Sequence, residues 1–187
     1  GEVVVSPTRQ FPGYSGFTFG LADEQIWPER TALPDGVATD EDGKASFTLP
    51  VPQLQPTTAG YTAKVITRVV EAGGRYVERS LDLPVLADGR RIGIKPAFDG
   101  GVDEGAPAEF ELVALDREGE RIAADVQWTL SRIDTRYQWY RADGRWSFEP
   151  VTTSRRVANG ELDLAADQPA RLSVPVEWGE YRLEVAA

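Results

Sequence analysis

Apolar and polar residues alternate with a period of two along much of the chain. Phe110, Leu112 and Ala114 share one side of a run whose intervening positions are Glu109, Glu111 and Val113. Val126, Trp128 and Leu130 alternate with Gln127, Thr129 and Ser131, and Tyr181, Leu183 and Val185 with Arg182 and Glu184. Successive side chains of a strand point to opposite faces, so each run predicts a strand with one buried face. Residues 61–71 form a longer run rich in β-branched residues, and residues 75–83 follow across Gly73-Gly74, which predicts a hairpin. A shorter run, residues 44–49, follows the turn Thr39-Asp40-Glu41-Asp42-Gly43 and predicts a further strand. No window repeats with a helical period; residues 116–124 come nearest, and their shortness and charge fit a connection between strands. Turn signals recur at Asp35-Gly36, Asp42-Gly43, Asp88-Gly89, Asp99-Gly100, Asp143-Gly144 and Asn159-Gly160. Short alternating runs with frequent turns predict an all-β sandwich or barrel.

The runs fall into two sets. Leu81-Asp82-Leu83-Pro84-Val85 reads as a closing strand and Ile92-Gly93-Ile94-Lys95-Pro96 as an opening one. Between them Ala87, Asp88, Gly89, Arg90 and Arg91 make a polar connection, the candidate hinge between a domain at residues 1–86 and another at 87–187. Residues 13–56 carry Pro28, Pro34, Pro50, Pro52 and Pro56, which predicts long loops and an incomplete strand set. The strand-like residues 2–5 either open this domain or close a preceding one.

The aromatic residues concentrate at residues 137–150, YQWYRADGRWSFEP. Asp143-Gly144 fits a two-residue hairpin turn. Tyr137, Trp139 and Tyr140 lie on one arm, Trp146 and Phe148 on the other, a candidate interface. Alternate rings filling the sandwich core, with the rest packed on a neighbouring domain, is the simpler account. A flat, exposed row of rings would instead suit a sugar.

Composition narrows the chemistry. The 187 residues contain 30 acidic and 20 basic side chains, a net charge of −10, and neither cysteine nor histidine. Nucleic acid and anionic membranes need a basic footprint that this charge opposes. Without Cys or His there is no imidazole base, thiolate nucleophile or Cys/His zinc site. The acidic stretches Asp40-Glu41-Asp42 and Asp99, Asp103, Glu104 lack the spacing of a calcium loop and read as turns. Lys44 and Ser46 would share one face of a strand, as on any solvated face. No pair among so many carboxylates is singled out for glycoside hydrolysis. Arg132, Arg136, Arg141, Arg145, Arg155 and Arg156 read as partners of acidic side chains or of aromatic faces. The expectation is a non-enzyme with no metal and no cofactor.

Three segments carry a family resemblance: GIKPAFDGGVDEGAPAEFELVALDREGERI, WTLSRIDTRYQWYRADGRWSFEP and ARLSVPVEWGEYRLEV. With TDEDGKASFTLPVP and YTAKVITRVVEAGGRYVERSLDLPV in the first half, the chain resembles the bacterial alpha-2-macroglobulin family over residues 14–185. The resemblance implies two tandem immunoglobulin-like (macroglobulin) antiparallel β-sandwich domains, the fifth and sixth of the bacterial series. It implies a periplasmic lipoprotein parent that traps proteases through a bait segment and, in many members, a Cys-Gln thioester. Since that motif needs a cysteine, this stretch cannot hold it, and the bait is expected beyond Ala187. The implied role is a non-catalytic scaffold contacting other macroglobulin, bait-region and thioester domains, with target proteases as partners of the whole protein. A start without Met at a strand-like run fits a piece of a longer chain. The alternative from a different class is a β-sandwich adhesin or carbohydrate-binding module using the aromatic hairpin.

Overall fold

The computed structural model describes all residues except 50, 51, 72 and 86–88, and leaves the side chain of Ala142 undescribed. Among the described residues the regular structure is entirely β, and the chain divides into two compact units, Gly1–Arg91 and Ile92–Ala187.

The first unit contains β1 (Glu2–Thr8), β2 (Thr18–Phe19), β3 (Glu29–Ala32), β4 (Gly60–Val70) and β5 (Tyr76–Val85). An antiparallel sheet runs in the order β3-β1-β4-β5. Its register sets Val3 beside Val65, Val5 beside Ala63, and Ala63 beside Leu83. Directly opposed residues share a face, so the period-two pattern of each strand sums to one apolar surface. Val3, Val5, Leu33, Tyr61 and Val65 are buried there, covered by Ile26, Leu49 and Leu54 from the irregular stretch. Proline cannot donate to a ladder, so this proline-rich stretch covers the sheet with side chains rather than strands. The strand expected at 44–49 is absent: Ala45, Ser46, Phe47 and Thr48 are exposed and pair with no strand. Alternation alone does not make a strand where no neighbouring edge offers hydrogen bonds.

Glu24 organises the irregular stretch. Its carboxylate accepts from the hydroxyls of Thr57 (2.9 Å) and Thr58 (2.8 Å) and from the Thr58 amide. Burial raises the Glu24 pKa, but these donors outweigh burial and hold it below the ordinary glutamate value. Arg9 ties the same loop down by donating to the carbonyls of Leu21 (2.6 Å) and Glu24 (3.2 Å). Beside it, Phe11 and Phe19 pack with centroids 5.2 Å apart, and Tyr14 meets Phe19 edge-on.

β6 (Arg91–Pro96) begins at the last residue of the first unit; the rest of it belongs to the second unit, with β7 (Pro107–Leu115), β8 (Arg121–Ile122), β9 (Ala124–Ala142), β10 (Arg145–Leu164), β11 (Ala170–Pro175) and β12 (Glu180–Ala186). One sheet runs β10-β9-β12; the other carries β11, β7 and β6 in that order, with β8 against β7. Leu112, Ala114, Leu172 and Val174 from one sheet and Val126, Leu130 and Leu164 from the other form a single buried core, which makes this unit a sandwich. Gly160 lies opposite Trp128, and a Cβ there would stand 2.9 Å from the indole nitrogen, so the ring occupies the space a side chain would need.

Of the expected hinge residues, Ala87 and Asp88 lie outside the described residues. Gly89, at φ +105°, and Arg90 are exposed. Arg91 opens β6, is buried, and holds its guanidinium carbon 5.2 Å from the Phe11 centroid. The guanidinium packs on an aromatic face, and burial lowers its pKa.

Candidate functional site

Strands β9 and β10 form one long hairpin. Asp143 (φ 51°) and Gly144 (φ 78°) make the turn, both in the left-handed region that a two-residue turn of matching twist requires. Pairing runs without interruption from Ala142–Arg145 down to Ser131–Arg156, where the register shifts before Ala158. The third strand, β12, accompanies β9 only from Gln127 to Ile133. Beyond that, residues 134–142 and 145–153 stand as a two-stranded arm, roughly 30 Å long at about 3.4 Å per residue.

The five aromatic residues singled out from the sequence all lie on this arm. None of them fills the core, which corrects the simpler account. Tyr137, Trp139, Trp146 and Phe148 are each more than half exposed, and Tyr140 is 44% exposed. The hairpin outruns its sheet, so alternation here separates two solvent-facing sides instead of an inside from an outside. The pairing of Trp139 with Phe148, Tyr137 with Pro150 and Arg141 with Trp146 gathers four rings on one face. The Phe148 ring meets Tyr137 at 76° and Trp139 at 54°, with centroids 5.6 and 5.3 Å apart. The opposite face carries Arg132, Arg136, Arg145 and Arg155 with Tyr140, Asp134 and Glu149. Inclined rings interlock as side chains in a protein contact do; they do not offer the flat platform on which a sugar stacks.

The other candidate residues are occupied structurally. Asp40 accepts from the amides of Asp42 (3.0 Å) and Lys44 (2.8 Å), closing its own loop. Lys44 therefore sits in a turn, not on a strand beside Ser46. The carbonyls of Asp99 and Asp103 close turns onto Gly101 and Ala106. Among the described residues no three acidic side chains are grouped to hold a metal ion. A shallow cleft of about 430 Å³ between Arg9, Ile26 and Trp27 is walled by Glu24, whose carboxylate is already engaged by Thr57 and Thr58. Sequence reasoning found the rings but missed the length of the arm and the side of it on which Arg136 and Arg145 lie; counting positions on both sides of Asp143-Gly144 is the signal for both.

Comparison with known proteins supplies the context. The description "Bacterial macroglobulin domain 6" matches residues 93–187, and "Bacterial Alpha-2-macroglobulin MG5 domain" matches residues 1–86. The chain belongs to the bacterial alpha-2-macroglobulin family. Alpha-2-macroglobulin of Xylella fastidiosa (strain 9a5c) is 32% identical over 176 residues, 91% of this chain and 10% of that protein. The Escherichia coli K12 protein is 28% identical over 206 aligned positions, 100% of this chain and 12% of its own length. Two solved alpha-2-macroglobulins superpose along the whole chain: the Escherichia coli protein activated by porcine elastase (TM-score 0.72, 27% identity, 17% of that chain) and the Salmonella protein reacted with methylamine (TM-score 0.73, 26% identity, 13% of that chain). The chain thus spans about a tenth of the curated relatives it matches. Its two units are macroglobulin domains, and other domains of such a protein are their natural context.

Proposed function

We propose that these two domains are a non-catalytic scaffold of a bacterial alpha-2-macroglobulin, holding its bait and thioester domains in register and relaying the movement that follows bait cleavage. The observation that carries this reading is the pair of consecutive macroglobulin-domain matches, at residues 1–86 and 93–187, which leave little of the chain for anything else. The related Escherichia coli protein is described as activated by elastase and by trypsin, which supports a protease trap as the parent. The absence of cysteine from all 187 residues supports a thioester outside this stretch. We take the parent to be a periplasmic lipoprotein. The inclined rings of the arm weigh against the carbohydrate-binding alternative.

The test uses the full-length parent. Trypsin or elastase is added, compaction is followed by small-angle scattering, and cut sites are read by mass spectrometry. Cleavage is expected outside residues 1–187, followed by compaction. Rapid cutting by several proteases within 13–56 or 158–169 would place the bait here and overturn the reading. Gly89→Pro forces φ near −65°, away from the observed +105°. It is expected to hinder compaction while each domain stays folded; unchanged compaction would count against a relay through this connection.

A further inference from the structure

The hairpin, counted with its root, is charged against the body that bears it; the arm itself, residues 134–153, holds three arginines and three acidic residues. Residues 132–156 hold six arginines and three acidic residues, whereas the rest of residues 92–187 holds five basic and fifteen acidic ones. All six cations are arginine, whose planar fork matches a carboxylate in two parallel hydrogen bonds. Arg132 has its own partners, Asp134 and Glu177, each at 3.5 Å. Among the described residues Arg136, Arg145, Arg155 and Arg156 make no ion pair. Arg155 also stands directly across the ladder from Arg132, an unfavourable pairing of like charges that an external anion would relieve. The reverse face offers four exposed rings, and Trp, Tyr and Arg are the residues that dominate interface energetics.

We infer that the arm is a docking element, and that its occupant is an acidic, partly apolar surface on another domain of the parent chain. The inference rests on the scaffold reading above, and about nine-tenths of a related protein lies outside the stretch matched here. Carboxylates of the occupant pair with Arg136, Arg145 and Arg155, while the opposite face buries Trp139, Trp146 and Phe148. A lipid surface fits less well. The turn that would enter it is Asp143-Gly144, flanked by Arg141 and Arg145, and the rings lie along the arm, not at its tip. Anchoring to a headgroup region favours apolar residues at the inserted end.

Hydrogen exchange of residues 134–153 is compared between the 187-residue chain and the full-length parent. An unsupported two-stranded arm opens easily, so docking should slow its exchange by about tenfold or more in the parent. Arg136→Glu with Arg145→Glu should abolish that protection, and Trp139→Ala should reduce it. All three positions are exposed, and unchanged circular dichroism of the 187-residue chain checks that the variants fold. A photo-crosslinker at Gln138 in the parent should yield peptides rich in Asp and Glu. Equal exchange in chain and parent, crosslinks to basic peptides, or protection that appears only with phosphatidylglycerol vesicles overturns the proposal. An undocked arm in a parent that still compacts after cleavage refutes docking alone. A docked arm in a parent that does not compact refutes the relay alone.

Discussion

The hairpin β4–β5 of the first unit and the hairpin β9–β10 of the second follow the same sequence logic and end in different surfaces. Each overruns its sheet. In the first, β1 supports β4 as far as Ile66, leaving 67–70 and 76–79 to protrude. Val69, Val70 and Tyr76 are exposed there, much as the rings are on the longer arm. The charges differ. Arg68 meets Glu78 across the ladder at 2.8 Å, and Arg75 meets Glu71 at 3.1 Å across the turn. The short overhang pairs both of its acids and leaves one arginine, Arg79, without a carboxylate; among the described residues the long hairpin, counted with its root, leaves five so: Arg136, Arg141, Arg145, Arg155 and Arg156. Exposed apolar residues on a hairpin therefore say little alone. The larger set of unpaired arginines beside them is what distinguishes the second hairpin from the first.

The sharpest way to break this comparison is to mutate root and tip of the long hairpin. Leu130 is 1% exposed in the core of the sandwich, so Leu130→Ala should destabilise the second unit by about 2–5 kcal/mol. Trp139→Ala on the arm should stay within about 0.5 kcal/mol. Urea unfolding of the 187-residue chain, followed by probes specific to each unit, reads both; a large loss from Trp139→Ala would mean that the arm packs on the body. Next comes Gly160→Ala. The added Cβ meets the Trp128 indole, and such overpacking should cost about 1–3 kcal/mol in the same measurement. An unchanged midpoint would show that the ring moves aside.

A third prediction concerns the first unit. The folded-state pKa of Glu24 is depressed, so its contribution to stability is full above the ordinary glutamate value of 4.5 that it takes when unfolded, and falls away as pH drops through the lower folded value. Acid should therefore destabilise the first unit below about pH 4.5, and Glu24→Gln should flatten that dependence. An identical acid profile in the variant would remove Glu24 from this role. The smallest effect is electrostatic. Arg68→Ala should weaken the β4–β5 tip slightly at low salt and not at high salt, because both partners of its ion pair are about half exposed. Arg136→Ala should leave the isolated chain unchanged at either salt. A salt-dependent loss from Arg136→Ala would reveal an internal partner and erase the difference between the hairpins.

Local signals carried the strands and the turns. Period-two alternation placed Phe110, Leu112 and Ala114 on one face, and Asp143-Gly144 made the turn, because both depend on residues adjacent in the chain. The strand expected at 44–49 failed because a strand also needs an edge to pair with, and nothing local says whether one is present. Arg91 read as part of a polar connection, since its burial depends on Phe11, eighty residues away.

The sequence by itself determined the all-β class, the two-part organisation, the family resemblance and the aromatic hairpin. Each is written in spacing, turn residues or motif, over distances a local pattern can span. Only the tertiary structure decided where the partner strand β12 stops. That end point turns the alternation of residues 134–153 from core-and-surface into two exposed faces, one with four rings and Arg141, the other with Arg136, Arg145 and Tyr140. The physical reason is that a period of two specifies which side chains share a face, while what covers that face depends on the length of a strand some forty residues further along.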